Sequence, residues 1–205
     1  MPEALTLKAL VARLSDLPAG RRLVAVSGPP ASGKSTITED LATALTSKGR
    51  TAQVVPMDGF HLDNATLDKM GLRARKGAPE TFDAAGLLDL VKAVRAGGAV
   101  PFPTFDRSLD ATVPNGGTFD ADIAVFEGNY LLLDEEPWRA LHPHWDASIA
   151  LDVPEDVLRA RLIDRWVTHG MTTEDGLARA EANDLPNARR VLRGSIAPDY
   201  VIVNH

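Results

Sequence analysis

Short apolar runs alternate along this chain with stretches of helical period. The runs are Leu23-Val24-Ala25-Val26, Thr51 to Val55, Ile123 to Phe126, Ser148 to Leu151 and Tyr200 to Val203. Little polar alternation interrupts them, which is the pattern of strands buried on both faces. Between them apolar positions recur at spacings of three and four. Leu7, Leu10, Val11 and Leu14 mark a helix over residues 4–15, ending near Pro18-Ala19-Gly20. Ile37, Leu41, Ala44 and Leu45 mark another from Lys34 to about Lys48, and Leu87, Leu88, Val91 and Val94 a third over 84–96, stopped by Gly97-Gly98. A helix is expected from Pro154, which suits a first turn, to about Thr168, and another from Thr173 to Ala182. Residues 70–83 and 99–119, broken by glycine and proline, read as loops. The alternation predicts an α/β domain with a five-stranded, mostly parallel sheet and helices on both faces. Ligands then bind beyond the carboxyl ends of the strands. With no repeat, low-complexity tract or linker, 1–205 is expected to form a single domain.

The first strand runs into Gly28-Pro29-Pro30-Ala31-Ser32-Gly33-Lys34-Ser35, a complete match to G-x-x-x-x-G-K-[ST], followed by Thr36. This is the P-loop signature, placed where it must be, between a strand and a helix N-terminus. There the unpaired N–H groups and the helix dipole favour an anion. The glycines let the backbone approach phosphates, Lys34 supplies a point charge for the β and γ phosphates, and Ser35 can ligate Mg²⁺. The fold class is thus that of a P-loop NTPase, and the cofactors implied are ATP and Mg²⁺.

Two carboxylates follow apolar runs and so reach the same crevice. Glu127 ends Ile123-Ala124-Val125-Phe126 in the manner of a Walker B residue near the metal; the plainer reading is a strand-end carboxylate. Asp58 follows the second strand and is the candidate general base that accepts a proton from an acceptor hydroxyl. As Asp58-Gly59 it could equally be a turn pair. His61 stands close enough to contact substrate or Asp58. Arg161 and Arg165 share a helix face one turn apart. Over a P-loop they suit a mobile lid at about 155–185 hinged near Gly170; otherwise they form a solvated face. Arg73-Ala74-Arg75-Lys76-Gly77 is locally basic, and Arg73 and Lys76 could receive a polar or anionic acceptor or be solvated.

Composition narrows the picture further. The 205 residues are 44% apolar and 24% charged, which is ordinary for a globular domain, and the net charge is −6. No basic stripe offers itself to nucleic acid. No cysteine is present, so disulfides, a thiol nucleophile and thiolate metal sites are excluded. No apolar run approaches membrane-spanning length, and the acidic start is unlike a signal peptide. A cytoplasmic protein is expected, monomeric or homodimeric, with a small hydroxylated molecule as its partner and neither nucleic acid nor membrane insertion.

The motifs together resemble the P-loop kinase family of uridine kinase, phosphoribulokinase and bacterial pantothenate kinase. They are the P-loop at 28–35, Met57-Asp58-Gly59-Phe60-His61, residues 75–83, Pro103-Thr104-Phe105-Asp106-Arg107, Phe126-Glu127-Gly128-Asn129-Tyr130 and Asn183-Asp184-Leu185-Pro186-Asn187. The combination is most similar to the bacterial subgroup described as fructose transport system kinases. The resemblance implies an ATP-dependent small-molecule kinase of carbohydrate metabolism with a fructose-like sugar as acceptor. A nucleoside or a pantothenate-like compound is the alternative acceptor, and a regulatory P-loop ATPase the alternative function. It also implies Asp58 as base, Glu127 near the metal and Arg165 as lid arginine, with Arg107 and Tyr130 facing the acceptor. Asn183, Asp184 and Asn187 would then lie near the nucleotide. Gly-Phe-His follows Asp58 where uridine kinases carry Ser-Phe-Tyr, which counts against uridine.

Overall fold

The computed structural model describes residues 2–204. A six-stranded sheet lies at the centre, formed by β1 (Glu3–Ala4), β2 (Arg22–Ser27), β3 (Ala52–Pro56), β6 (Ile123–Gly128), β7 (Ala147–Asp152) and β8 (Tyr200–Val203). Its order is β1-β8-β7-β2-β6-β3, and every pairing is parallel. The sheet therefore has six strands where five are expected. The sixth comes from the start of the expected helix 4–15, which begins instead at Leu7 as α1 (Leu7–Ser15), with Thr6 as N-cap. Glu3 and Ala4 lie extended beside Tyr200 and Val201. Two residues are too few to carry a period, so only the partner strand defines them.

Period-two burial in the central strands explains why both faces need cover. Leu23 and Ala25 of β2, with Ala124 and Phe126 of β6, enter one core together with α4 (Ala84–Ala96). Val24 and Val26, with Ile123 and Val125, enter another together with α1 and α2 (Lys34–Ser47). Strands rich in valine, leucine and alanine bury both edges of their pleat, so helices pack on each side.

The stretch 99–119, read as loop, folds as an antiparallel ribbon of β4 (Val100–Asp106) and β5 (Ala111–Phe119), with a register shift at Pro103. A ribbon outside the main sheet tolerates its prolines. Gly117 is needed there, because a Cβ would come within 2.6 Å of the Phe102 ring. α3 (Asn64–Met70), capped by Asp63, leads into the stretch 70–83 read as loop, which holds short 3₁₀ turns at Arg73–Arg75 and Pro79–Thr81. The helix expected over 173–182 is α6 (Thr173–Arg179), continued by a π-helical turn at Ala180–Asp184 and by α7 (Leu185–Gly194). It packs on α5 (Glu155–Thr168). Among the described residues no helix is long and apolar enough to cross a membrane.

Candidate active site

One cleft of about 680 Å³ opens at the carboxyl ends of β2, β3 and β6. Its floor is the P-loop. Ala31 (φ 63°) and Gly33 (φ 87°) take left-handed conformations, which wrap the chain around the cradle before α2 begins at Lys34. A side chain at Gly33 would meet the Asn204 amide at 2.6 Å, and one at Gly28 would meet the Ser32 hydroxyl at 2.8 Å. Asn204, just beyond β8, donates to the Ser32 carbonyl (2.7 Å) and so braces the loop from behind. Pro30, Ala31, Gly33, Lys34, Ser35 and Thr36 face the cleft, whereas Gly28, Pro29 and Ser32 form the back of the turn.

Lys34 is buried, and its ammonium donates to the Pro29 carbonyl (3.0 Å). Burial lowers its pKa, and the positive charges of Arg165 and Arg107 add to that; Glu127 and Asp58 oppose it. Glu127 is only 9% exposed at the end of β6, and the Ser35 hydroxyl donates to its carboxylate (3.3 Å). Burial raises the Glu127 pKa against the pull of Lys34. Among the described residues no group of three or more acidic or histidine side chains gathers here. The chain therefore offers a hard cation one hydroxyl and one carboxylate, both oxygen donors. That suits Mg²⁺, which normally completes its shell with phosphate and water.

Asp58 sits in a 3₁₀ turn (Met57–Phe60) that continues β3, and its carboxylate reaches the cleft. Gly59 is required behind it, because a Cβ there would collide with the Pro103 carbonyl of β4. Arg107, at the tip of the β4–β5 ribbon, donates to the Asp58 carboxylate (3.2 Å). His61 bonds the Asp58 backbone carbonyl through Nδ1 (2.8 Å), not the carboxylate. A carbonyl only accepts, so that nitrogen carries the proton. Burial depresses the His61 pKa, which leaves the ring neutral at pH 7, tilted against Phe82 (4.1 Å) and Phe105 (4.7 Å).

α5 forms another wall of the cleft. Arg165 faces the cleft, and burial and the nearby Arg107 charge lower its pKa. Arg161 instead turns to the Ala31 carbonyl (3.5 Å) and holds α5 against the P-loop. Arg73 and Lys76 line the opposite side, paired with Asp68 (3.1 Å) and Asp110 (2.6 Å).

Tyr130 is a correction. It does not face the acceptor: its ring is fully buried against Phe82 and Trp138, and its hydroxyl donates to the Gly77 carbonyl. An aromatic that size adds more by filling the core under the 73–77 loop than by lining the cleft. Asn183 and Asn187 touch that loop rather than the P-loop. Asn183 donates to the Lys76 carbonyl (3.0 Å), and Asn187 accepts from Arg75 (3.5 Å). Asp184 and Asn187 both line the cleft, and Asp184 accepts from the Trp166 indole (2.6 Å). Sequence reading missed Trp166, Arg179, Asp110 and Asn129 in the cleft, and Asn204 behind the P-loop. The break of helical period after Arg179 was a usable signal, since π turns concentrate at functional sites.

A parallel sheet wound around a P-loop, with carboxylates on neighbouring strand ends, is the architecture of a P-loop kinase. Comparison narrows the class: the chain belongs to the Phosphoribulokinase / Uridine kinase family, whose model matches residues 23–193. It is 37% identical over 187 residues to the uncharacterized protein YggC of Escherichia coli (strain K12), covering 90% of this chain and 78% of that one. It is 32% identical over 197 residues to the ATP-dependent kinase YFH7 of Lachancea thermotolerans, covering 74% of this chain and 56% of the relative. The crystal structure of a "putative fructose transport system kinase" from Silicibacter sp. TM1040 matches with TM-score 0.92 at 46% identity, over 97% of this chain and 99% of that one. The protein is thus an ATP-dependent P-loop kinase of this family.

Proposed function

We propose that this kinase transfers the γ-phosphate of MgATP to a hydroxyl of a small metabolite, and that a fructose-like sugar is the preferred acceptor. One observation carries the reading: a candidate base, Asp58, shares one cleft with Lys34, Ser35 and Glu127 and with a furnished acceptor side at 73–77 and 105–110. The sugar preference draws on the description of the Silicibacter relative. In the reaction the acceptor oxygen bonds to the γ-phosphorus and the bond to the bridging β-phosphate oxygen breaks. ADP leaves, and the hydroxyl proton passes to Asp58. Lys34 and Arg165 oppose the charge on the transferring group, and Arg161 keeps α5 seated on the P-loop. Ser35 and Glu127 would hold Mg²⁺, which neutralises phosphate charge when bound. Segment 155–185 acts as the lid, turning at Gly170 (φ 91°).

A coupled ADP-release screen over sugars, polyols, nucleosides and pantothenate tests the proposal. ADP release that depends on one class of acceptor supports it. Release at the same rate with no acceptor would favour a regulatory ATPase.

A further inference from the structure

Arg165 brings its charge into a cleft already crowded with cations. That charge acts on Lys34, and the charge of Arg107 acts on it in turn. Among the described residues no carboxylate hydrogen-bonds to its guanidinium. Like charges repel, so a long flexible side chain would swing to solvent unless something fixed it. What fixes it is a ring. The Arg165 guanidinium lies over Trp166, 5.8 Å from the ring centroid, and Arg179 of α6 lies 5.3 Å from the same centroid. Both distances suit a cation–π attraction, for which tryptophan is the best of the aromatics. Arg179 also donates to the Ala74 carbonyl (3.3 Å). The ring is itself anchored, because its Nε1 donates to the Asp184 carboxylate at 2.6 Å. Asp184 ends the π-helical turn (Ala180–Asp184), and such turns concentrate at functional sites. The small core beside it is apolar: Leu162, Ala180 and Leu185, with Ala31 of the P-loop and Trp166 packed against them. Burial lifts the Asp184 pKa, against the indole bond and the charges of Arg179 and Arg165. A carboxyl kept at the rim of a cleft where burial disfavours its charge points to function.

We propose that Asp184 is a positioning residue for phosphoryl transfer and acts through Trp166: its carboxylate fixes the indole, the indole carries Arg165, and Arg165 is thereby aimed at the transferring phosphate. Preset aim matters, because a group displaced by about 1 Å can lose its catalytic effect by about 10². Arg179 shares the ring and, through Ala74, ties it to the segment 73–77. The inference rests on the phosphoryl-transfer reading above.

The probe is MgADP with aluminium fluoride, which imitates the phosphoryl group in transfer, titrated calorimetrically beside MgADP alone. It needs no acceptor. A transition-state mimic draws on groups that act late, so the parent should bind it more tightly than MgADP. Asp184→Ala should forfeit about tenfold or more of that gain, with the Kd for MgADP unchanged. Asp184→Asn keeps an oxygen for the indole N–H and should recover part of the loss. Trp166→Phe keeps a ring without the donor and should lose as Asp184→Ala does; it carries the test if Asp184→Ala fails to fold. Adding Asp184→Ala to Arg165→Ala should cost nothing further, since the two act as one unit. The chain has three tryptophans, and the indole N–H signal missing from the nitrogen-correlated NMR spectrum of Trp166→Phe identifies Trp166. That signal should move in Asp184→Ala. Equal losses for MgADP and the mimic, full additivity with Arg165→Ala, or an indole signal that stays in place would each overturn the inference and leave the transfer reading intact. A parent that gains nothing from aluminium fluoride would overturn both.

Discussion

Lys34 shows most directly how one residue links fold to chemistry. Its backbone starts α2, its stem is buried, and its ammonium lies among Glu127, Asp58 and Arg165. Contacts to charge that grows in a transition state are worth about 3 kcal/mol, so Lys34→Ala should lower turnover by about 10² or more while the circular-dichroism melt stays cooperative. Near-normal turnover in the folded variant would remove the P-loop from the mechanism. Asp58 makes a different prediction, because it is the proposed base for the acceptor hydroxyl. Asp58→Asn keeps size and hydrogen bonding but removes the proton acceptor. It should lower kcat by roughly 10² or more with the Kd for MgATP kept, the scale of a lost general base. Lost nucleotide binding with turnover spared would make Asp58 a structural residue. At this scale the P-loop and both carboxylates were legible in the sequence, because chemistry of that kind is carried by fixed residue types at strand ends. Tyr130 was misread for a physical reason. A motif states which residues travel together, and not which way each side chain points, and here the ring fills the core and only its hydroxyl reaches the Gly77 carbonyl.

Elements were legible in proportion to their length. The central strands and α2, α4 and α5 carry enough positions for a period to emerge. β1 has two residues, and the β4–β5 ribbon is written in prolines and glycines that look like loop. The proposed lid makes the clearest prediction at this scale. On α5, Arg165 faces the cleft, whereas Arg159 turns away and pairs with Glu181 (3.0 Å). Arg165→Ala should therefore lower kcat by at least tenfold with little change in nucleotide affinity in the absence of acceptor, as expected for a group that acts in the closed complex. Arg159→Ala removes a solvent-exposed pair and should leave kcat within about twofold. Equal effects in the two variants, or an Arg165→Ala effect seen only in Tm, would return α5 to the role of a solvated helix. The π turn is the part of this assembly that no periodic reading reaches. It brings Asn183 to the Lys76 carbonyl and Asp184 to Trp166, the neighbour of Arg165, so one irregular turn touches both the 73–77 segment and α5.

Stability of the whole molecule depends on a charge network at the end of the sheet opposite the cleft. Asp146, just before β7, accepts from Arg22 (3.2 Å) and from the Leu23 backbone N–H (2.8 Å) of β2, and pairs with Arg95 of α4 (2.7 Å). A single carboxylate thus ties β7 to the P-loop strand and to a helix on one face. Burial alone would raise its pKa, but the bonds from Arg95, Leu23 and Arg22 outweigh burial and hold it below the usual aspartate value. The sign follows from that direction. A carboxyl more acidic in the folded than in the unfolded chain stabilises the fold above its unfolded pKa of about 4, and the contribution is lost as pH falls through its lower folded value. Asp146→Asn removes the charge and leaves two arginines without their anion. At pH 7 it should lower stability by about 2 kcal/mol, which for a chain of this length is about 4–8 °C in Tm. Below about pH 4 the gap between variant and parent should narrow, and it should close only as pH falls through the carboxyl's lower folded value. Turnover per folded molecule should stay the same, since Asp146 lies outside the cleft. A Tm difference that persists undiminished at pH 3 would show that shape rather than charge is what Asp146 contributes.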